Sequence, residues 1–296
     1  MNRQRRKLKA TLLGLLAGVA LLGLLAASAV AAPANDNFAN ARVISGNLLR
    51  EGAPGSTKSA TKEEGEPNHA GDPGGASVWF SWTPSKTQVV AVTTCGGFDT
   101  LLGVYTGTAV NSLTTVASND EAADGPGCGA PDSEVRFTAS AGVKYMIAVD
   151  GKGGSSGTVL FKITLPPGND NFKDADPLPG GEKSTPSNWL ATKELGEPEH
   201  AGDPGGASVW FRWTAASSGL VELDTCGGAG NPDTLLAVYT GTEVSSLTPI
   251  ASNDNGAVGC APRSELTFFA SAETKYVIAV DGAGGDEGWF NLHLTE

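Results

Sequence analysis

From Ala76 to Thr83 the chain reads ASVWFSWT, with Val78, Phe80 and Trp82 at alternate positions and Trp79 and Ser81 between them. Large apolar residues at a spacing of two are what a half-buried strand requires, and the Val/Phe/Trp set marks its core face. The alternation returns at Val209, Phe211 and Trp213 against Trp210 and Arg212. Around the first of these strands, residues 42–49, 88–94, 100–106, 113–118, 134–139, 144–150 and 158–165 also read as strands, separated by Gly, Pro, Asn and Asp clusters. Eight short strands with turns between them predict a two-layer sandwich. A jelly roll is the preferred topology and an immunoglobulin-like one the alternative.

The pattern is written twice. Gly65 to Thr83 comes back as Gly196 to Thr214 with two differences, Asn68 against Glu199 and Ser81 against Arg212. Each copy opens with NDNF, at Asn35 and Asn169, and each closes with a VDG segment at Val149 and Val280 followed by a last strand. The fold class expected is therefore all-β: two tandem jelly-roll-like antiparallel β-sandwich domains, residues 35–165 and 169–296, joined by Pro166-Pro167-Gly168. About 130 residues per unit is enough to bury a core unaided.

Before the first unit, Arg3, Arg5, Arg6, Lys7 and Lys9 lead into the apolar stretch 12–27 and the small-residue tail Ser28-Ala29-Val30-Ala31. This order reads as a signal peptide over residues 1–31, and the apolar run is also long enough for an uncleaved anchor. Its removal takes away five basic residues and no acidic one, so the formal charge moves from −12 to −17. Such a field repels phosphate backbones, which argues against nucleic acid, and favours cations or basic surfaces. The membrane then matters only during export, and the protein is expected to be secreted or held at the cell surface.

Four cysteines divide evenly between the copies, in matched surroundings. For an exported chain this predicts Cys95 bonded to Cys128 and Cys226 bonded to Cys260. Zinc fails on ligand count, because each copy offers two thiols and its nearest histidine, His69 or His200, lies 26 residues before the first of them.

The order NDNF, SVWFSW, FDTLLGVYTG, SND and FTASAGVKYMIAVDG resembles the bacterial pre-peptidase C-terminal domain, a family that includes the collagen-binding domains of clostridial collagenases. The resemblance covers nearly all of both copies. It implies a secreted β-sandwich without catalysis, often calcium-stabilised and often appended to hydrolases, although no peptidase domain accompanies the modules here. In the collagen-binding relatives calcium lies between the opening segment and acids near the aromatic strand. The matching positions are Asp36 and Asn37 with Asp72, and Asp170 and Asn171 with Asp203, so the resemblance implies calcium at these residues. Further acids that the relatives place just ahead of the opening segment are replaced here by Pro33-Ala34 and Pro167-Gly168. The alternative is that Asn35 and Asp36 form turns or cap a short helical turn.

Three other groups carry candidate chemistry. Asp99, Asn119, Asp120 and Asp124, matched by Asp233, Asn253 and Asp254, form either a second oxygen cluster or ordinary turns. His69 and His200 lie between a Glu and an Asp with no nucleophile motif beside them, which favours histidines that bond backbone carbonyls of their own loop over general bases. Trp79 and Trp210 face away from the core, and either offer an exposed indole platform to a ligand or are covered by the Gly65–Gly75 loop and its counterpart. The function expected is a non-catalytic module that binds an extracellular polysaccharide or protein. The alternatives are a glycosidase using Glu64 and Glu66, or a structural spacer.

Overall fold

The alternating segments become strands in a computed structural model, which describes residues 31–45, 52–122, 129–179, 186–227 and 232–296. Residues 1–30, on which the signal peptide is read, and Cys128 and Asp124 lie outside the described residues. In the first half the strands are β1 (Arg42–Val43), β2 (Ala53–Ser56), β3 (Val78–Trp82), β4 (Gln88–Gly96), β5 (Thr100–Thr106), β6 (Thr114–Asn119), β7 (Ser133–Ala139), β8 (Tyr145–Gly151) and β9 (Thr158–Thr164). The second half contributes β10 (Asp176–Pro177), β11 (Val209–Thr214), β12 (Gly219–Asp224), β13 (Thr234–Thr240), β14 (Thr248–Asn253), β15 (Glu265–Ala270), β16 (Lys275–Gly282) and β17 (His293–Thr295). The helical elements among the described residues are single 3-10 turns.

Strand order makes the first half a jelly roll. One sheet runs β1-β3-β8-β5-β6 and the other β2-β9-β4-β7, so the chain crosses between layers at nearly every connection and the β5–β6 hairpin is the exception. The second half repeats this as β10-β11-β16-β13-β14 over β15-β12-β17. Two features depart from the sequence reading. The first strand of each half lies parallel to the aromatic strand, with Arg42 opposite Phe80 and Asp176 opposite Phe211, so these sheets are mixed at one edge. The other is β2, whose sequence APGS carries no apolar alternation; Pro54 is tolerated because β2 is an edge strand. Among the described residues its counterpart in the second half is the bridge from Ser187 to Trp289.

Each core fills the space between two layers. In the first, Val78, Phe80 and Trp82 meet Val90, Val92, Val135, Phe161 and Ile163 from the opposite sheet, and the Phe80 and Phe161 rings stack at 4.2 Å. The second core is built likewise around Val209, Phe211, Trp213, Leu223 and Phe268. Yet β3 is buried on both faces, because the loop ahead of it folds back over the side that carries Trp79. Cys226 and Cys260 are disulfide-bonded, with Cα atoms 5.1 Å apart, and the described cysteines include no free thiol.

Candidate functional site

The repeated block turns out to be a clamp. In its loop His69 has no exposed surface, its Nε2 lies 2.9 Å from Glu66 Oε1, and its Nδ1 lies 2.7 Å from the Tyr105 hydroxyl. A carboxylate only accepts, so in the neutral ring Nε2 donates to Glu66 and Nδ1 accepts the tyrosine proton. The other Glu66 oxygen accepts the Glu63 N–H at 2.9 Å. Burial works to raise the Glu66 pKa, but the hydrogen bonds from His69, Ser77 and the Glu63 N–H outweigh it, and the carboxyl is held below its ordinary value. Burial, joined by the charges of Glu66 and Asp150, pushes Tyr105 up to about 12. The histidine thus bonds two side chains of the clamp where backbone carbonyls were expected.

Asp150 closes the other end of this loop. It sits inside β8 with no exposed surface and takes the N–H groups of Gly75, Ala76 and Gly151 at 2.7 to 3.1 Å. A Cβ on Gly74 would fall 1.8 Å from the Asp150 carboxylate, and the residue has φ +56°, so glycine is required there. The second half reproduces every part: His200 with Glu197 and Tyr239, and Asp281 with Gly206, Ala207 and Gly282. Under these clamps Trp79 and Trp210 have no exposed surface. Each is met edge-on by a phenylalanine, Phe38 at 5.1 Å and Phe172 at 5.2 Å, and by the loop histidine. Neither indole is therefore a surface platform, which corrects the ligand-binding assignment of Trp79 and Trp210; the loop covers them.

The NDNF segments serve the same packing. Asn35 exchanges backbone and side-chain bonds with Trp79, and Asn169 does so with Trp210. Both Asp36 oxygens accept from Thr61, at 2.6 Å from its N–H and 3.1 Å from its hydroxyl, and Asp170 is held in the same way by Thr192. Asn37 and Asn171 cap 3-10 turns without a side-chain bond. Asp72 and Asp203 each accept one N–H of their own turn, Gly74 or Gly205, and one of the turn after β8 or β16, Gly153 or Gly284; these bonds hold both carboxyls below the ordinary value. The calcium set expected from the resemblance is thus divided among separate turns. The acid and histidine groups that converge among the described residues are instead Glu66, His69 and Asp150, and Glu197, His200 and Asp281. Their donors and acceptors are already satisfied by the clamp. Glu64 is exposed while Glu66 is buried, so the two do not face each other as a hydrolytic pair.

A different site forms where the halves meet. Trp189 and Leu190 project from the loop ahead of β11 and pack on Val89 and Ala91, on the outer face of β4. The Arg136 guanidinium lies 5.7 Å from the Trp189 ring centroid and pairs with Glu287 at 2.7 Å. Leu190 has φ +64°, a left-handed backbone that only a fixed surrounding sustains in a leucine. Beside this contact runs a groove of about 450 Å³, whose walls include Lys162, Asn169, Asp176, Trp189, Phe211 and Trp289. Trp289 is 47% exposed at its edge, and Trp189 Nε1 is shut from solvent without a hydrogen-bond acceptor. A larger cleft of about 650 Å³ shares Leu165 and Pro167 with it but has no aromatic wall.

Neither tryptophan of the groove belongs to the repeated pattern: Trp189 stands where the first half has Lys58, and Trp289 where it has Thr158. Comparing the copies for their differences would have found them.

No family model matches the chain, and no curated protein matches it. Among solved structures it is similar to a Paenibacillus sp. cycloisomaltooligosaccharide glucanotransferase complexed with cycloisomaltoheptaose, at 10% identity and TM-score 0.26 over 77% of this chain and 45% of that one. It is also similar to the CBM22-1-CBM22-2 tandem domain of Paenibacillus barcinonensis Xyn10C, at 8% identity and TM-score 0.21 over 82% of each chain. A third is the PBSX exported protein XepA, at 12% identity and TM-score 0.21 over 73% of this chain and 81% of that one. Among the described residues no helix is long and apolar enough to cross a membrane.

Proposed function

We propose that this protein is an exported, non-catalytic module that holds an extracellular polysaccharide in the groove between its halves. The observation that carries the reading is Trp289, an aromatic face left half open at the edge of a groove that also contains Trp189, Lys162, Asn169 and Asp176. A pyranose ring presents an apolar C–H face and a rim of hydroxyls. An indole takes the face, and a few amide and charged groups take the rim. Sites of this volume favour the seam between packed units. The disulfide suits an oxidising compartment outside the cell. On this reading the chain works as the pre-peptidase C-terminal resemblance implies, as a binding appendage.

Native affinity electrophoresis in gels containing xylan, β-glucan or α-glucan tests the reading. At least one polymer should retard the wild-type protein, and Trp289→Ala should weaken retention by about tenfold or more. Phe269→Ala, which alters an exposed aromatic residue that does not line the groove, should leave it unchanged. Equal retention of wild type and Trp289→Ala would place binding elsewhere, and no retention by any polymer would remove the polysaccharide.

A further inference from the structure

The two segments that carry the groove's tryptophans are bonded into one unit. Ser187 bridges Trp289, the Phe290 N–H donates to the Pro186 carbonyl at 3.1 Å, and the Gly288 N–H donates to Asn188 Oδ1 at 2.8 Å. A shift of either segment carries the other with it. Lys162 and Thr164, which line the same groove, stand on β9 of the first half. The spacing between the indoles and these residues is therefore set by how the tryptophan unit is held on the first sandwich.

Trp189 and Leu190 seat the unit on Val89 and Ala91, but an apolar contact has no direction of its own. Arg136 supplies one. Its Nη1 lies 2.7 Å from Glu287 Oε2, two residues ahead of Trp289, and its guanidinium lies 5.7 Å from the Trp189 ring centroid. Its Nε meets Glu134 Oε1 on the same strand at 3.0 Å, so the planar fork is held on both sides. One side chain of the first half thus contacts both tryptophan segments of the second. With the arginine 41% exposed, the pair adds little to stability, and what it supplies is a fixed orientation. Comparison of the copies isolates the same residues: Arg136, Trp189, Glu287 and Trp289 stand where the other copy has Thr267, Lys58, Ser156 and Thr158. Neither Thr267 nor Ser156 could form the ion pair, so the grip exists at this seam through a change on each side of it.

We infer that Arg136 is the positioning residue of the groove: by gripping Glu287 and lying on Trp189 it fixes both indoles relative to Lys162 and Thr164, ready for the polysaccharide on whose proposal this inference rests. Arg136 does not itself line the groove, and acts through the tryptophans. A sugar ring that meets indoles already placed loses less affinity to ordering them, a gain of about threefold to tenfold per side chain.

Acrylamide quenching of tryptophan fluorescence reads this placement without any ligand. Of the six tryptophans Trp289 is the exposed one, at 47%, while Trp189 is only 9% exposed. Arg136→Thr and Glu287→Ser, which install the residues of the other copy, should each raise quenching as the released unit opens Trp189 to the quencher. Arg136→Lys, which keeps the charge, should raise it less. Lys152→Ala, which breaks an ion pair of the same length away from the groove, should leave it at wild type. On the polymer that retards the wild type, Arg136→Thr and Glu287→Ser should weaken retention by about threefold to tenfold while urea unfolding shifts little. In a Trp289→Ala background Arg136→Thr should add no further loss. Wild-type quenching in both Arg136→Thr and Glu287→Ser would overturn the inference. So would raised quenching with unchanged retention, or an Arg136→Thr loss that persists in the Trp289→Ala background. A wild type retained by no polymer would remove the polysaccharide alone, and the quenching would still decide for or against Arg136 as the residue that places the indoles.

Discussion

The two halves are nearly superposable in their clamps and differ at their surfaces. His69, Glu66, Tyr105 and Asp150 have their equals in His200, Glu197, Tyr239 and Asp281, with distances that agree to about a tenth of an ångström. Lys58, Lys152, Ser155 and Thr158 face Trp189, Ala283, Asp286 and Trp289. What is kept is the device that seals an aromatic strand on its second face, a packing task that leaves little room for change because the His69, Ala76 and Gly151 donors and their counterparts are buried. What differs lies outside the clamps, where one half became a seat and the other supplied the aromatic rings.

The sharpest test of the shared part is its buried carboxylate. Asp150→Ala strands the buried N–H groups of Ala76 and Gly151, and Asp281→Ala those of Ala207 and Gly282, so each should cost about 3 kcal/mol or more in urea unfolding. A much smaller loss in either half would mean that the clamps are not equivalent. The unshared part should break asymmetrically: Trp189→Ala should cost about 3 kcal/mol by opening the contact with Ala91, whereas Lys58→Ala at the matching place should stay within about 0.5 kcal/mol.

Smaller effects come from proton linkage. Tyr105 and Tyr239 hold their protons to about 12 in the fold, while tyrosines of the unfolded chain lose theirs near pH 10. The unfolded state then binds fewer protons, so stability should decline between these values, and the double variant Tyr105→Phe, Tyr239→Phe should flatten that decline in alkaline melting curves. Glu66 has the opposite sign. Its pKa is depressed in the fold, so its contribution is complete above the ordinary carboxylate value and lost as pH falls below it. Glu66→Gln should therefore reduce the slope of stability against pH on the acid side, the smallest change of the series.

Most of the fold was legible because strands that pack on one side advertise it by alternation, as 158–164 and 265–270 do. Edge strand β2 was not, since APGS contributes backbone pairing and almost no side-chain pattern. The burial of Trp79 was open at the level of sequence, because alternation tells which residues share a face and not whether a second layer covers that face. The groove escaped for another reason. Repetition drew attention to Gly65–Thr83, yet residues that repeat perfectly serve what both halves need, which is folding. Trp189 and Trp289 sit in segments that read as loop and last strand, and only their mismatch with Lys58 and Thr158 marks them.

The seat of Trp189 on β4 also sets a length. At the far end of the molecule the outer positions of β12 corresponding to Ala91 and Thr93 are Glu222 and Asp224, and at the near end the turn corresponding to Trp189-Leu190 is Lys58-Ser59. An incoming indole would have to bury a carboxylate, at a cost of several kcal/mol. Neither of these surfaces therefore repeats the contact that joins the two halves. Growing the pair to three members by design would begin with Glu222→Ala and Asp224→Thr.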